Sequence, residues 1–243
     1  MARSIAVFGA GPGLGRAVAH RYAREGYAIA LVARREDPLE RLAGELMGAG
    51  ASAYAIPADL SDTDGVAALA ERIRTTVGDL DTLYYGPTAG RAQPAAGLTP
   101  QNLQCVMPFG LYSLVALVRE FLPHMISRRG GAILAATGAS AVQGMPNLSG
   151  PGPALAAQRN YLQSLHAEVA ENGVYVGRLY IGAPIANSAW HAKIQADQAA
   201  GRPAQRWGRG PAVDPSQLAD LLWTMHNTTK QPEATYPERI FQR

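Results

Sequence analysis

The chain has 243 residues, of which 47% are hydrophobic and 17% charged, so it can bury one sizeable hydrophobic core. Its formal net charge is only +3 and the basic residues are spread along the chain, which excludes an obvious nucleic-acid-binding surface. No apolar run approaches the roughly 18 residues of a membrane-spanning helix, and the first predicted strand begins too close to Met1 to leave room for a signal peptide. We therefore expect a cytoplasmic protein without a membrane or nucleic-acid partner.

Apolar runs alternate with stretches of helical periodicity along the whole chain, a pattern typical of a parallel sheet covered by helices on both faces. The predicted strands are residues 5–8, 27–33, 53–57, 82–85, 132–136, 174–181 and 234–241. The predicted helices are residues 14–25, 37–48, 61–78, 99–121, 153–171 and 214–227. Because no linker or repeat interrupts them, residues 1–243 are expected to form one three-layer α/β domain with a Rossmann-type, doubly wound parallel sheet of about seven strands.

Local signals mark where some of these helices begin and break. Asp37-Pro38 predicts a helix start in which Asp37 is the N-cap and proline occupies the first helical position. Pro108 lies inside the fourth predicted helix and should kink it or divide it. The single cysteine, Cys105, lies in the same helix and is expected to be a buried, unreactive side chain.

A glycine-rich loop follows the first strand and opens the first helix. The loop presents backbone N–H groups and the positive end of the helix dipole to an anion, which is how a dinucleotide pyrophosphate is held. Glycine is needed where a Cβ would block the phosphate or where the turn is tight. The spacing reads G-x-x-x-G-x-G, because Leu14 stands where the last glycine of G-x-G-x-x-G would fall. The predicted cofactor contacts of this loop are Gly9, Gly11, Pro12, Gly13, Leu14, Gly15 and Arg16.

A long stretch with little periodicity lies between the sixth strand and the last helix, over residues 182–211. It carries Asn187, Trp190, His191 and Trp207. Long irregular segments in compact domains are usually lids or binding loops, and ligands of such sheets bind outside the carboxyl ends of the strands. We therefore expect residues 182–211 to form a substrate lid.

The order of these parts resembles the short-chain dehydrogenase/reductase family over nearly the whole chain. The matching segments are the glycine loop, Ala58-Asp59-Leu60, Leu122-Pro123-His124-Met125, residues 130–134, residues 156–170 and residues 173–176. The resemblance implies an oxidoreductase that binds a nicotinamide cofactor. It also implies that Asp59 and Leu60 contact the adenine, that Gly86 and Ile185 contact the cofactor, and that Asn187 lies near the nicotinamide amide.

The end of the second strand favours NADP(H). NAD-specific sites usually place a carboxylate there to bind the ribose 2′-hydroxyl, whereas this chain has Arg34 and Arg35, which suit a 2′-phosphate. Arg16 is a further candidate phosphate ligand. The alternative is that Arg34 and Arg35 are solvated loop charges.

The same resemblance indicates that the four catalytic residues of the family, its catalytic tetrad, are absent from this chain. The tyrosine, lysine, serine and asparagine of the family fall at Pro151, Leu155, Gly138 and about Gly110, none of which can donate a side-chain proton. The candidate replacements are Thr137, Ser140, Tyr85 and His191. His191 is the most capable, because an imidazole exchanges protons readily near neutral pH. No histidine or cysteine spacing suggests a metal site.

Three functions are consistent with these patterns. The first is an NADP(H)-dependent oxidoreductase that acts on a small carbonyl, imine or enone substrate through a non-standard active site. The second is a non-redox cyclase, lyase or isomerase on the same fold, and the third is a cofactor-binding or scaffold protein without catalysis. The family resemblance also implies a homodimer or tetramer, in which Leu111, Leu114, Val115 and Val118 either form the contact between subunits or face the sheet.

Overall fold

The computed structural model describes residues 3–87, 92–201 and 210–238. Within these ranges the strands are β1 Ser4–Phe8, β2 Ala28–Ala33, β3 Ala53–Pro57, β4 Thr82–Tyr85, β5 Gly131–Gly138, β6 Val174–Ile181 and β7 Glu233–Tyr236. The α-helices are α1 Leu14–Arg24, α2 Glu36–Gly48, α3 Val66–Val77, α4 Pro100–Met107, α5 Ser113–Ser127, α6 Gly152–Val169, α7 Ala189–Ala199 and α8 Pro215–Thr224.

All the described strand pairs are parallel, and they form one sheet in the order β3-β2-β1-β4-β5-β6-β7. The central strands are buried on both faces, which is why they read as unbroken apolar runs in the sequence. On one face Ile5 and Val7 pack with α1, α2 and α8, and on the other Ala6 and Phe8 pack with α3, α5 and α6. The predicted three-layer, doubly wound Rossmann-type fold is confirmed.

The start of α2 differs from the sequence expectation. Arg35 is the N-cap residue in an extended conformation, so Asp37 lies in the first turn of the helix and is not its cap. Glu36 and Asp37 both lie in that turn, where a negative charge interacts favourably with the helix dipole. The acidic residues thus stabilise the helix start from inside the helix.

Pro108 divides the fourth predicted helix, as expected. Helix α4 ends at Met107, a wider π-helical turn covers Pro108–Tyr112, and α5 continues to Ser127, beyond the predicted end at residue 121. The proline has no N–H to donate to the preceding turn, so the chain widens there and does not break.

This helical stretch corrects the expectation about apolar runs. Within the part of the chain that the structure describes, Pro100–Ser127 is 28 residues long with a mean hydropathy of 1.5, enough to cross a membrane by length and composition alone. However, Leu114 and Val118 are buried against the sheet, together with other residues of the same face of α5. One face of α5 therefore belongs to the hydrophobic core of the domain.

The outer side of this stretch carries exposed apolar and sulfur groups. Cys105 is exposed, so the expectation that it is buried is wrong: it lies on the side of α4 that no neighbouring element covers. Tyr112 is 50% exposed and Val115 is 36% exposed. Of the four residues proposed for a subunit contact, Leu114 and Val118 face the sheet, whereas Val115 faces outward.

Within the predicted lid of residues 182–211, residues 182–201 are more ordered than their sequence suggests. They contain α7, which begins after Ser188, and the Ser188 hydroxyl accepts a hydrogen bond from the His191 backbone N–H as an N-cap. None of the residues of α7 is buried, which explains why it has no apolar stripe to detect. Trp207 lies outside the described residues, and so does the end of the predicted last strand at Phe241.

A buried ionic cluster ties the end of the sheet to α6. Arg178 of β6 is 4% exposed and its guanidinium donates to the Glu233 carboxylate of β7 at 3.0 Å and to the Leu162 carbonyl at 2.8 Å. Glu233 also accepts from the Tyr180 hydroxyl and from the Gln163 amide. Burial alone would raise the pKa of Glu233, but these hydrogen bonds and the arginine charge outweigh it and lower that pKa below its ordinary value.

Replacing Glu233 with alanine should therefore lower the free energy of unfolding by about 1–3 kcal/mol near neutral pH, because it leaves the buried Arg178 charge without its carboxylate partner. Urea denaturation measures this change. The exposed Glu40→Ala variant is the control and should change it by less than about 0.5 kcal/mol. Because the folded pKa of Glu233 is lowered, its contribution is present above the ordinary value of 4.5 and is lost as the pH falls through the folded value. A difference between wild type and variant that does not shrink in acid would contradict this interpretation.

Candidate active site

The glycine loop is built by backbone packed directly on backbone. Gly9 has φ +91°, and a Cβ at this position would lie 2.8 Å from the Pro87 nitrogen. A Cβ at Gly15 would overlap the Gly9 carbonyl oxygen and lie 2.9 Å from Ala10 Cα. Only glycine fits at these two positions, because the first turn of α1 packs onto the end of β1 and β1 packs onto the loop after β4.

The loop leaves a set of backbone donors at the start of α1. The amides of Gly9 and Ala10 both donate to the Val32 carbonyl, and the amide of Gly11 donates to the Gly9 carbonyl. Among the described residues, no hydrogen bond is formed by the amides of Gly13, Leu14 and Gly15. These three amides lie at the positive end of the helix dipole, so the loop fits a phosphate-bearing cofactor such as a dinucleotide.

The segment that leads into α7 packs against the same loop. A Cβ at Gly13 would lie 3.0 Å from the Ser188 Cβ, so the first residues of α1 and α7 come close together. Ile185 is held by a bridge to Val213, and Asn187 is exposed in the left-handed region with φ +62°. The structure thus brings Ile185 and Asn187 to the carboxyl end of the sheet, next to the glycine loop.

Basic and acidic side chains lie at the carboxyl ends of β2 and β3, on the side of β1 away from β4. Arg34 is exposed, and its guanidinium carbon lies 6.0 Å from the centre of the Phe109 ring. The Asp59 Oδ1 atom accepts hydrogen bonds from the Ser61 backbone N–H and hydroxyl, which lower the pKa of Asp59, and the nearby Arg34 charge lowers it further. Asp59 is therefore ionised near neutral pH and retains one free carboxylate oxygen.

The other predicted cofactor contacts near the ends of β2 and β3 differ in their exposure to solvent. Leu60 is buried, and its carbonyl accepts a hydrogen bond from the Ser113 hydroxyl. Arg35 is exposed as the N-cap of α2. Arg16 forms an exposed ion pair with Glu45 of α2 at 2.5 Å. A surface pair of this kind contributes little to stability, so the Arg16 guanidinium can exchange partners at low cost.

Thr137 and Ser140 flank Gly138, the position at which the resemblance puts the family serine. A Cβ at Gly138 would lie 3.7 Å from the Ser140 Oγ, and Ser140 is 6% exposed. In the described part of the chain the Ser140 hydroxyl has no hydrogen-bond partner, whereas Thr137 makes only a long contact of 3.4 Å to the Gly138 carbonyl. Both hydroxyls are therefore free to bind a ligand.

Tyr85 does not reach this site, which corrects the expectation that it is a candidate acid. Its side chain is 1% exposed in the core between the sheet and α5, and its hydroxyl donates a hydrogen bond of 2.5 Å to the Phe109 carbonyl. Burial also raises the pKa of Tyr85 well above its ordinary value, so it is a poor proton donor. His191 is half-buried in the first turn of α7, and its imidazole makes no hydrogen bond within the described ranges.

Three of the four positions at which the resemblance puts the family tetrad, Gly110, Pro151 and Leu155, form part of an apolar wall. A cavity of about 10 Å³ is lined by Pro87, Val106, Phe109, Gly110, Pro151, Ala154 and Leu155. A Cβ at Gly110 would lie 2.5 Å from the Ala154 Cβ, so an asparagine does not fit there. The Gly110 carbonyl accepts a hydrogen bond of 2.8 Å from the Gln158 amide. The position of Gln158 at this wall could not be predicted from the sequence, because the contact joins two segments that are far apart in the chain.

A larger groove of about 740 Å³ lies away from these residues, beside the edge strand β3 and between α2 and α3. Its lining includes the exposed Met47 and Tyr54 but none of the predicted site residues. Because polar donors and the glycine loop converge at the carboxyl ends of the strands, we place the site there and not in the larger groove. Residues 3–87, 92–201 and 210–238 contain no group of three or more potential metal ligands.

Gly15→Ala should lower the free energy of unfolding by about 1–3 kcal/mol, because the added methyl group forces the first turn of α1 away from β1. Gly44→Ala is the matched control: nothing lies within 4 Å of a Cβ at this helical position, and alanine should stabilise the helix by up to about 1 kcal/mol. Urea denaturation of both variants measures the difference. If Gly15→Ala were as stable as wild type, the proposed close packing of the loop would be wrong.

Comparison with known proteins agrees with this architecture. The family model described as short chain dehydrogenase matches residues 3–198. A fatty acyl-CoA reductase of Acinetobacter baylyi is 26% identical over 238 residues, covering 96% of this chain and 76% of that protein. A 3-oxoacyl-[acyl-carrier-protein] reductase of Staphylococcus aureus is 26% identical over 183 residues, covering 75% of this chain and 74% of that protein. The chain spans only 56% of another relative, a dehydrogenase/reductase SDR family protein 7-like of Anopheles gambiae, at 28% identity over 71% of this chain.

Solved structures share the fold at low sequence identity. An alcohol dehydrogenase from Thermococcus sibiricus, complexed with 5-hydroxy-NADP, has a TM-score of 0.81 at 21% identity, covering 99% of this chain and 98% of that one. A metagenomic short-chain oxidoreductase in complex with NADP has a TM-score of 0.78 at 21% identity, covering 96% of both chains. The chain therefore belongs to the short-chain dehydrogenase family, whose members are oxidoreductases that bind nicotinamide cofactors.

Proposed function

We propose that this protein is an NADP(H)-dependent oxidoreductase that acts on a small carbonyl, imine or enone substrate through a non-standard active site. One observation carries the proposal: three amides of the glycine loop make no hydrogen bond among the described residues, and Pro87, which packs against this loop, lines an apolar wall together with Pro151 and Leu155. The cofactor-binding half of the site is retained, whereas the usual proton-transfer half is not.

The cofactor is proposed to bind along the carboxyl ends of β1 to β4. The amides of Gly13, Leu14 and Gly15 suit the pyrophosphate, and Arg34, Arg35 and Arg16 suit the 2′-phosphate. The other proposed contacts are Gly9, Gly11, Pro12, Asp59, Leu60, Gly86, Ile185 and Asn187. Support for NADP(H) comes from the charge at the end of β2, where no carboxylate stands to bind a 2′-hydroxyl, and from the NADP complexes of similar fold.

The substrate is proposed to lie between Ser140 and the apolar wall. Bound NADPH supplies a hydride in this family of reactions. General acid catalysis is worth about 10²–10⁴ in rate, while correct positioning of two reactants is worth still more. A cationic iminium needs no proton from the enzyme, so an apolar wall that excludes water and a single hydroxyl that orients the substrate are sufficient for it. We propose Ser140, with Thr137 and His191, as the catalytic residues.

A non-redox enzyme is the second candidate, and the filled tetrad positions favour it. Pro151 and Leu155 remove the groups that would protonate a reduced product, so the same pocket also suits a cyclase, lyase or isomerase. A cofactor-binding protein without catalysis is the third candidate, because the glycine loop does not itself require a reaction.

We further propose that residues 1–243 act as one domain, that residues 182–211 form its substrate lid, and that the protein is a cytoplasmic homodimer or tetramer. The lid proposal is supported by the contact of Ser188 with Gly13, which couples this segment to the cofactor loop. The oligomer proposal is supported by Tyr112 and Val115, two exposed apolar side chains on the outer face of the central helical stretch.

Arg34→Ala should weaken NADPH binding by roughly 10–100-fold, because a charge-assisted hydrogen bond to the 2′-phosphate contributes about 1.5–3 kcal/mol. The affinity for NADH, which has no 2′-phosphate, should change by less than about threefold. Fluorescence titration of both nucleotides measures this selectivity. The control is Arg24→Ala, an exposed arginine at the opposite end of α1. An equal loss for NADPH and NADH, or no loss for either, would show that Arg34 is only a solvated loop charge.

Purified protein should oxidise NADPH in the presence of cyclic iminium ions faster than in the presence of ketones or enones of similar size, because the iminium requires no general acid. Loss of the reduced nicotinamide absorbance, together with product analysis by mass spectrometry, measures the reaction. Ser140→Ala is the variant that tests substrate orientation. Product formation without an absorbance change would instead support the non-redox enzyme, and tight NADPH binding without any conversion would support the cofactor-binding protein.

A further inference from the structure

Tyr84 is a buried tyrosine beside the candidate active site, and the proposed function gives it no role. Strand β4 directs it to the opposite face from Tyr85, into the layer that contains α1 and α8. Its phenol lies against Gly86, where a Cβ would overlap the hydroxyl and lie 2.7 Å from Cζ. The hydroxyl therefore reaches the level of Gly86, at the carboxyl end of β4, and fills the space that a side chain at residue 86 would occupy.

The Tyr84 hydroxyl has no hydrogen-bond partner in the described part of the chain, although the side chain is only 1% exposed. The hydroxyl oxygen is not one of the fully buried unpaired atoms of the described residues, so it stays accessible at the edge of the site and can take a ligand group as its partner. Burial raises the pKa of Tyr84 far above its ordinary value of 10, so the phenol stays protonated. It is therefore a hydrogen-bond donor and not a source of protons.

The topology shows which part of a dinucleotide meets this donor. The strand order reverses between β1 and β4, which is where a dinucleotide crosses such a sheet. Arg34 and Asp59 follow β2 and β3 on one side of this point, and they suit the adenosine half. Tyr84 is on β4, on the other side, and Gly86 beside it packs against Gly9 of the glycine loop. The nicotinamide half therefore lies over β4.

This inference rests on the proposed binding of NADP(H). We propose that the Tyr84 hydroxyl donates a hydrogen bond to the nicotinamide-ribose half of the bound cofactor at the carboxyl end of β4. Tyr84 thereby fills the space beside Gly86 and places a polar group there. Pairing with the cofactor gives a partner to a hydroxyl that has none among the described residues.

The test compares Tyr84→Phe with wild type in two binding titrations. NADPH affinity should fall by about 3–10-fold, which is the typical net worth of one hydrogen bond, while the affinity for adenosine 2′,5′-bisphosphate should not change. That ligand carries the 2′-phosphate but has no nicotinamide half. The melting temperature of the ligand-free variant should stay close to that of wild type, because the Tyr84 hydroxyl makes no hydrogen bond within the described residues.

Tyr22→Phe is the matched control. Tyr22 lies in α1, away from the strand ends that form the site, and its hydroxyl is fully buried without a hydrogen-bond partner among the described residues. Removing it should leave both affinities unchanged. A general effect of losing a buried hydroxyl would move both variants alike and would overturn the inference.

The binding titrations separate an error about Tyr84 from an error about NADP(H) binding. If wild type binds NADPH and Tyr84→Phe binds it equally well, or loses both ligands equally, the role of Tyr84 is overturned and NADP(H) binding stands. If wild type binds neither nicotinamide nucleotide, both are overturned. Should Tyr84→Phe fail to fold, Gly86→Ala displaces the phenol and should give the same selective loss of NADPH affinity; unchanged affinity would overturn the inference.

Discussion

The contact of backbone with backbone at the carboxyl ends of β1 and β4 is the constraint on which the rest of the structure depends. Gly9 and Gly15 leave no room for a Cβ, because α1, β1 and the loop after β4 meet there without intervening side chains. That closeness lets α1 begin directly at the edge of the sheet and leaves its first amides unpaired. The same packing requirement therefore fixes the layer of α1 and creates the anion-binding site.

Much of the fold could be predicted because buried parallel strands leave a strong signal. The bounds of β3, β4 and β6 were predicted without error, since each is an apolar run bordered by polar residues or glycine. Helix α7 was missed because it lies on the surface and has no apolar stripe. The cap at Ser188 was the one local signal for it. The exposure of Cys105 depends on which elements cover α4, and local periodicity does not contain that information.

The parts of the candidate site formed by neighbouring residues in the chain could be predicted from the sequence. The parts formed by contacts between distant residues could not. The glycine loop is contiguous, so its spacing alone indicated a phosphate site. Tyr84 and Tyr85 must point to opposite faces of a strand, but the sequence does not show which face carries the open site. The structure places Tyr85 in the core beside α5, which corrects the expectation for Tyr85, and it places Tyr84 on the opposite face against Gly86.

Gly110 packs closely against α6, which constrains any attempt to introduce the catalytic side chains of the family into this protein. Ala154 fills the volume beside Gly110, and Gln158 already occupies the carbonyl of that glycine. Installing a tyrosine at Pro151 and a lysine at Leu155 would thus place an acid and a cation beside a carbonyl that is already engaged. A side chain added at Gly110 would meet Ala154, so substitutions at Gly110 and on α6 would have to be made together.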